Sequence, residues 1–165
     1  MGTNKALLRL GSTSMIENVV AAAEKCGLPV RIIARDLRAP CGALGGIYTG
    51  LRTSGCDAVL FLACDMPLVP AEFLPVLMRT MKRKQSAIFT NSRGAVGFPL
   101  LIRKWACAEI LQSITSNHLS LQWLARLLNA GSFHCSANRQ ICLLNVNTKE
   151  DFQCAQQHLA SGLFQ

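Results

Sequence analysis

Long hydrophobic runs are missing from this 165-residue chain, although half of its residues are hydrophobic. No apolar stretch approaches the roughly 20 residues that span a bilayer, so the sequence predicts no membrane segment. No N-terminal stretch has the charged-then-apolar pattern of a secretion signal, and we therefore expect a cytoplasmic protein. Internal repeats and low-complexity tracts are missing as well. We expect a chain of this length to form one domain over residues 1–165.

Paired cysteines of the kind that hold zinc are also absent. The chain has eight cysteines, but none of them forms a Cys-x-x-Cys pair, which argues against a structural zinc site. The cysteines are scattered through strand-like and helix-like segments, at positions 26, 41, 56, 64, 107, 135, 142 and 154. In the absence of a secretion signal, this scatter favours reduced thiols over a disulfide framework.

Acidic and aromatic residues are scarce. Nine Asp and Glu residues stand against 17 Lys and Arg residues, which gives a formal net charge of +8. Such a balance indicates polyanionic partners, and both nucleic acids and small phosphorylated substrates fit that description. Few aromatics interleave with the densest basic cluster, over residues 79–84. A nucleic-acid-binding domain is therefore an alternative that the charge alone favours.

The most informative stretch is an unbroken apolar run over residues 58–63, which ends in Cys64 and Asp65. A run in which apolar residues do not alternate with polar ones predicts a strand that is buried on both faces. Such a strand is typical of the centre of a mostly parallel sheet that is covered by helices. Pro67 prevents the strand from continuing, because it has no N–H to donate. Asp65 is thus predicted at the carboxyl end of a central strand, where open α/β sheets bind ligands. Alternatively, Asp65 only caps the turn that follows.

Helix start signals stand at three places. Ser14 and Glu17 have the spacing of a capping box, and Thr148 is predicted to cap a final helix. A polar loop over residues 35–46 ends in glycines and leads into a predicted helix over residues 44–53. Backbone amides at such a helix start can hold an anion. The alternative is a tight turn with close helix packing.

Strand patterns alternate with these helices. Residues 29–34 and 141–146 are predicted strands, and residues 87–90 and 96–102 are predicted to pair as a hairpin that turns at residues 91–94. Helix and strand patterns in alternation are typical of a three-layer α/β domain.

Four short motifs follow one another in order along the chain. They are Met1-Gly2-x-x-Lys5-Ala6-Leu7-Leu8, Gly42-x-Leu44-x-Gly46-Ile47, Ala63-Cys64-Asp65-Met66-Pro67 and Asn145-Val146-Asn147-Thr148. Together they resemble the molybdenum cofactor guanylyltransferase family, a branch of the nucleotidyltransferases with a Rossmann-like fold. In that family a loop of the form Leu-Ala-Gly-Gly-x-Ser-x-Arg immediately precedes the Met-Gly pair. We therefore expect an N-terminally truncated version of the fold, without the first strand and this loop.

The resemblance implies a reaction in which GMP passes from GTP to molybdopterin-bound molybdenum, giving the guanine dinucleotide cofactor and pyrophosphate. The implied partners are GTP, molybdopterin or the molybdenum cofactor, and a molybdoenzyme or chaperone that receives the product. The implied cofactor is Mg²⁺, which prefers one or two carboxylates together with phosphate oxygens, and Asp65 is the matching metal ligand and catalytic residue. Lys5 is the second catalytic residue, as a compact positive charge on the triphosphate.

Further site residues come from the same resemblance. Nucleotide-binding roles are implied for Lys5, Asp36, Gly42, Leu44 and Asp65. Asn145 and Asn147 are implied to contact either a phosphate group or the residues that bind it. Without the resemblance, Lys5 would be an ordinary surface lysine and Asp36 a solvated loop acid. The two asparagines would then be turn residues.

Other activities stay open at this point. A cytidylyl or sugar-phosphate nucleotidyltransferase is the related alternative, but cytidylyl-transferring relatives usually lack the Cys before the Asp and the Asn-Val-Asn ending. A non-catalytic nucleotide-binding remnant is the alternative that the expected truncation favours.

Overall fold

A computed structural model describes most of the chain, namely residues 5–38, 41–92 and 94–161. Some sequence predictions fall outside these ranges. They are the roles of Met1 and Gly2 in the first motif, the part of the polar loop at residues 39–40, and Arg93 in the predicted hairpin turn.

The described residues contain six strands and six α-helices. In chain order these are β1 (Arg9–Leu10), β2 (Thr13–Ser14), α1 (Met15–Glu24), α2 (Ala43–Thr53), β3 (Ala58–Phe61), α3 (Phe73–Thr80), β4 (Ala87–Ser92), β5 (Ala95–Arg103), α4 (Cys107–Thr115), α5 (Leu121–Leu127), β6 (Gly131–His134) and α6 (Lys149–Ala160). Short 3-10 helices occur at Lys5–Leu7, Lys104–Ala106 and Ala137–Leu143.

The chain folds into two compact units. Among the described residues, the first unit combines residues 5–30, 62–75 and 136–161, and the second combines residues 31–38, 41–61, 76–92 and 94–135. The first unit therefore draws on three separate parts of the sequence, which meet in space.

The first unit is built around the β1–β2 hairpin and the helices α1 and α6. Strands β1 and β2 pair antiparallel. Five residues from separate segments of the chain form one buried cluster of this unit, namely Leu10, Met15, Leu68, Val146 and Ala155. Burial of these side chains is what holds the separate segments together, because removing apolar surface from water is the main favourable contribution to folding.

Both helices of the first unit begin with a capping box, as the sequence predicts for Ser14 and Glu17. The Ser14 hydroxyl accepts the Glu17 N–H at 3.3 Å, and the Glu17 carboxylate accepts the Ser14 N–H at 2.6 Å. At α6 the Thr148 hydroxyl accepts the Asp151 N–H at 3.1 Å, and the Asp151 carboxylate accepts the Thr148 N–H at 2.8 Å. These bonds satisfy N–H groups that have no partner inside the helix, so both predicted helix starts are confirmed.

The second unit contains a four-stranded sheet with the order β3-β5-β4-β6. Strand β5 pairs antiparallel with β3 and with β4, whereas β4 and β6 are parallel. The predicted α/β fold class and the β4–β5 hairpin are confirmed. Strands β3, β4 and β6 run in the same direction and the hairpin strand β5 runs against them, so the predicted mostly parallel sheet contains one antiparallel strand. The sheet is mixed.

Strand β3 is shorter and less central than the sequence predicts. It has four residues, stands at one end of the sheet order, and only Phe61 of the four is buried. An apolar run predicts a strand, but it does not show which strands flank that strand or how deeply it is buried. The prediction of a central strand buried on both faces is therefore corrected. Asp65 lies beyond this strand in a turn, where the Met66 N–H donates to the Ala63 carbonyl at 3.2 Å.

Two predicted strands are absent from the described residues. Residues 29–34 have no strand assignment, and Val30 and Ile32 are 40% and 58% exposed. In the other segment, the 3-10 helix Ala137–Leu143 covers residues 141–143, and residues 144–147 have no regular secondary structure. Neither segment pairs with a neighbouring strand among the described residues. β-branched composition favours a strand only where a ladder partner and a packing face are present.

The core of the second unit is shared by the sheet and the helices α2, α4 and α5. Leu44, Ile47 and Leu51 of α2 belong to one buried cluster with Phe89 and Leu100 of the two central strands. The observed helix, Ala43–Thr53, confirms the predicted one. This packing fixes where α2 begins, and so fixes the glycine-rich segment that precedes it.

None of the helices in the described ranges combines the length and apolar character needed to cross a membrane. The eight cysteines all lie in these ranges, and no disulfide joins any two of them.

Gly50 provides a test of this packing. A Cβ at Gly50 would lie 2.5 Å from Cε1 of Phe61 and 3.1 Å from Cδ1 of Ile33. Because Phe61 is buried in the core, we expect Gly50→Ala to lower the free energy of unfolding by about 1–3 kcal/mol, measured by urea denaturation.

Gly46→Ala is the matched control on the same helix. The nearest atom to its added Cβ is Asp36 Oδ1, at 3.7 Å. We expect this variant to be neutral or more stable by up to about 1 kcal/mol, because alanine favours helix over glycine. Equal destabilisation by both substitutions would contradict the packing described for Gly50.

Candidate functional site

The segment Asn145-Val146-Asn147 presents its two amide side chains outward. Val146 is 3% exposed and belongs to the core of the first unit, whereas Asn145 and Asn147 are exposed. The exposed, buried, exposed pattern of these three residues leaves both amide side chains at the surface while Val146 packs in the core. Both asparagines are therefore accessible although the predicted strand is absent, and their contact role stays a prediction.

Asp65 lies beside this segment. The Val146 N–H donates to the Asp65 backbone carbonyl at 2.8 Å. The turn after Asp65 is anchored because Met66, Pro67 and Leu68 are all buried. The side chain of Asp65 is half-buried, and no hydrogen bond between described residues occupies its carboxylate. This leaves a positioned carboxylate that can bind a ligand.

Lys5, near the start of the chain, also bonds to this segment. Its Nζ atom donates to the Asn147 carbonyl oxygen at 2.9 Å. Lys5 and Asp65 thus both bond to the backbone of residues 146–147. The structure brings together four of the predicted site residues, which are Lys5, Asp65, Asn145 and Asn147.

Asp151 supports this arrangement and was not predicted as a site residue. Its carboxylate Oδ2 accepts the N–H of Asn147 at 3.0 Å and that of Thr148 at 2.8 Å. These two backbone N–H groups, first Thr148 and then Asn147, hold the pKa of Asp151 below its ordinary value, and the charge of Lys5 acts in the same direction. The Thr-x-x-Asp spacing signals a helix start, but it does not reveal the additional bond to Asn147.

A cavity of about 280 Å³ opens beside Lys5 and Asn147. Leu8, Val146 and Phe152 form apolar walls, and Lys5 and Lys149 are also among the residues that line it. An apolar wall with nearby cations can accommodate a molecule that combines a ring system with an anionic group.

Cys64 precedes Asp65 but is not suited to act as a nucleophile. Partial desolvation by the surrounding chain raises the pKa of its thiol, and the negative charge of Asp65 raises the pKa further. Because the thiolate is the nucleophilic form, Cys64 stays mainly protonated and unreactive near neutral pH. The candidate residues for the chemistry of this site are therefore Asp65 and Lys5.

The other predicted residues lie in the second unit. Asp36 is exposed and packs closely against Gly45 in the first turn of α2; a Cβ at Gly45 would collide with Asp36 Oδ2 and lie 2.9 Å from Cγ. Gly42 precedes the helix with a φ of 53°, a conformation that favours glycine. The side chain of Leu44 is fully buried, so Leu44 can contact a ligand only through its backbone. The roles of these residues stay predictions.

A metal ion at this site would need ligands from outside the protein. In the part of the chain that the structure describes, no three His, Cys, Asp or Glu side chains form a metal-binding group. A single carboxylate such as Asp65 suits Mg²⁺, which retains several waters and is commonly held by one or two carboxylates plus phosphate oxygens of a substrate.

Comparison with known proteins agrees with these observations. Residues 1–131 match the MobA-like NTP transferase domain family. A probable molybdenum cofactor guanylyltransferase of Flavobacterium johnsoniae is 41% identical over 84% of this chain and 73% of that protein. A second one, of Carboxydothermus hydrogenoformans, is 27% identical over 93% of this chain and 87% of that protein.

A solved structure shares the fold. The molybdopterin-guanine dinucleotide biosynthesis protein A of Archaeoglobus fulgidus superposes with a TM-score of 0.77 and 21% identity, over 97% of this chain and 92% of that protein. The family match covers most of the sequence, including Lys5, Asp36 and Asp65. The chain belongs to the MobA-like NTP transferase family.

Proposed function

We propose that this chain transfers GMP from GTP to molybdopterin-bound molybdenum, giving the guanine dinucleotide cofactor and pyrophosphate. The observation that carries the proposal is the attachment of Lys5 and Asp65 to one backbone segment, at residues 146–147. The names of the two related proteins, both probable molybdenum cofactor guanylyltransferases, support the choice of GTP.

The reaction needs little covalent help from the protein. A terminal phosphate oxygen of the pterin forms a bond to the α-phosphorus of GTP, the bond from that phosphorus to the bridging oxygen breaks, and pyrophosphate leaves with the electron pair. Such transfers depend on positioning and on neutralising charge. Lys5 supplies a compact ammonium charge for the triphosphate, and its bond to Asn147 orients that charge before the substrate binds.

Asp65 is the residue that would hold Mg²⁺, since its carboxylate has no competing hydrogen bond among the described residues. When bound, the cation supplies positive charge that stabilises the phosphate oxygens and the departing pyrophosphate. We further propose the exposed Asn145 and Asn147 side chains as phosphate contacts, with Asp36, Gly42 and Leu44 as nucleotide contacts.

The product must then reach a protein that uses it. We propose a molybdoenzyme or a chaperone as the receiving partner, because a dinucleotide cofactor acts only inside another protein. The cytoplasmic location stays a prediction from the sequence.

Asp65→Asn tests the metal-binding role. The variant keeps the shape of the side chain but removes its charge, so we expect kcat/KM for GTP to fall on the order of 10²- to 10³-fold with the fold intact. The assay is pyrophosphate release with molybdopterin and Mg²⁺, together with circular dichroism of the variant.

Asp57→Asn is the control, because Asp57 is an exposed acid just before β3 and has no assigned role. We expect it to retain the activity of the original chain. Equal activity of the Asp65→Asn and Asp57→Asn variants would contradict the proposed site, and faster pyrophosphate release from CTP than from GTP would contradict guanylyl transfer.

Gly45→Ala tests the contribution of Asp36. The added methyl group collides with the Asp36 carboxylate and displaces it. We expect the affinity for GTP to fall about tenfold, the typical cost of losing one hydrogen bond to a charged group. Titration of a fluorescent GTP analogue measures this change.

Gly46→Ala again serves as the comparison, since its Cβ makes an ordinary contact with Asp36 at 3.7 Å. Its affinity for GTP is expected to stay near that of the original chain. If Gly45→Ala binds GTP as tightly as Gly46→Ala does, Asp36 is not a nucleotide contact.

A further inference from the structure

The carboxylate of Asp151 does more than cap helix α6. In a capping box the acid at the third helical position accepts the N–H of the N-cap residue, which is Thr148 here. Asp151 Oδ2 also accepts the N–H of Asn147, one residue before the N-cap, at 3.0 Å. Helix capping does not require this second bond, so it indicates a role outside the helix.

The second bond acts on a residue that holds Lys5. The same peptide segment that donates to Asp151 through the Asn147 N–H accepts the Lys5 ammonium group through the Asn147 carbonyl, at 2.9 Å. The Val146 N–H is occupied by the Asp65 carbonyl. Three hydrogen bonds thus fix the backbone of residues 146–147. Among the three, the bond to Asp151 is the one whose acceptor is a side chain.

We propose that Asp151 is a positioning residue, which fixes the backbone of Asn147 so that its carbonyl oxygen orients the Lys5 ammonium group for the substrate phosphates. This inference rests on the proposed transfer of GMP from GTP. Asp151 itself does not contact the reacting atoms in this account. Its negative charge adds to the effect, because it attracts Lys5 toward the same segment.

The chain contains its own control for the capping role. Helix α1 begins with the same type of box, in which Glu17 Oε2 accepts the Ser14 N–H at 2.6 Å and the Ser14 hydroxyl at 2.8 Å. All of these bonds stay between Ser14 and Glu17, whereas the box of α6 reaches one residue further. Glu17→Ala therefore removes a capping carboxylate of the same unit, but it removes no bond to residues 146–147, which hold Lys5.

Enzyme kinetics separate the capping role of Asp151 from its positioning role. Asp151→Ala frees Lys5, which must then be ordered each time GTP binds, so we expect KM for GTP to rise about three- to tenfold while kcat changes less. Glu17→Ala is expected to lower thermal stability but leave KM unchanged.

A lysine measurement makes the outcome independent of turnover. In protein labelled with ¹³C and ¹⁵N at lysine, the Lys5 ammonium signal, assigned from a Lys5→Arg variant, should show restrained side-chain motion that Asp151→Ala removes and Glu17→Ala does not. If Lys5 keeps its restraint in Asp151→Ala, or loses it equally in Glu17→Ala, the positioning role is wrong. If the lysine result is as expected but the original chain releases no pyrophosphate from GTP, the positioning role stands and the proposed reaction is wrong.

Discussion

A single backbone hydrogen bond, from the Val146 N–H to the Asp65 carbonyl, determines the geometry of the candidate site. It joins two segments that are far apart in the sequence, and both are held by apolar burial next to the bond. Leu68 follows Asp65 by three positions and lies in the same buried cluster as Val146. Buried backbone groups must be paired, so this bond is required once those side chains are packed. The packing that stabilises the first unit thereby also sets where the Asp65 carboxylate and the two asparagines stand.

Local signals in the sequence predicted the helices well. The box of Ser14 and Glu17, the Thr148 cap and the glycines before α2 are short-range features, and each depends on hydrogen bonds or dihedral angles within a few residues. The β4–β5 hairpin was predicted for the same reason. The residues within each of these elements specify its conformation, so the element can be predicted without knowing how the rest of the chain packs.

Strand predictions failed where they depended on distant partners. Residues 29–34 and 141–146 have strand-like composition, but among the described residues neither finds a ladder partner. The position of β3 at one end of the sheet order, and the mixed direction of that sheet, likewise depend on which segments pair. In the site, Lys5, Asp65 and Asn147 could be chosen from the motifs, whereas the role of Asp151 could not. Its bond to Asn147 depends on how the chain enters α6, which the residue types alone do not specify.

The family assignment and the site chemistry support each other. Nucleotidyl transfer needs a cation for the phosphates, a carboxylate for the metal and a rigid arrangement of both. In the first unit, the ammonium group of Lys5 and the backbone carbonyl of Asp65 both bond to one segment, residues 146–147. The raised pKa of Cys64 keeps this neighbouring thiol from competing as a nucleophile. A direct transfer between phosphates is therefore the reaction that suits these residues.

The most direct test uses Mn²⁺ in place of Mg²⁺ and follows the broadening of amide NMR signals in the presence of GTP. We expect the metal–nucleotide complex to broaden the amide signals of Asp65, Met66 and Asn147 strongly, and to broaden that of Glu17, at the start of α1, less. Strong broadening elsewhere, with the Asp65 and Asn147 signals unaffected, would contradict the claim that this carboxylate and this backbone segment form the site.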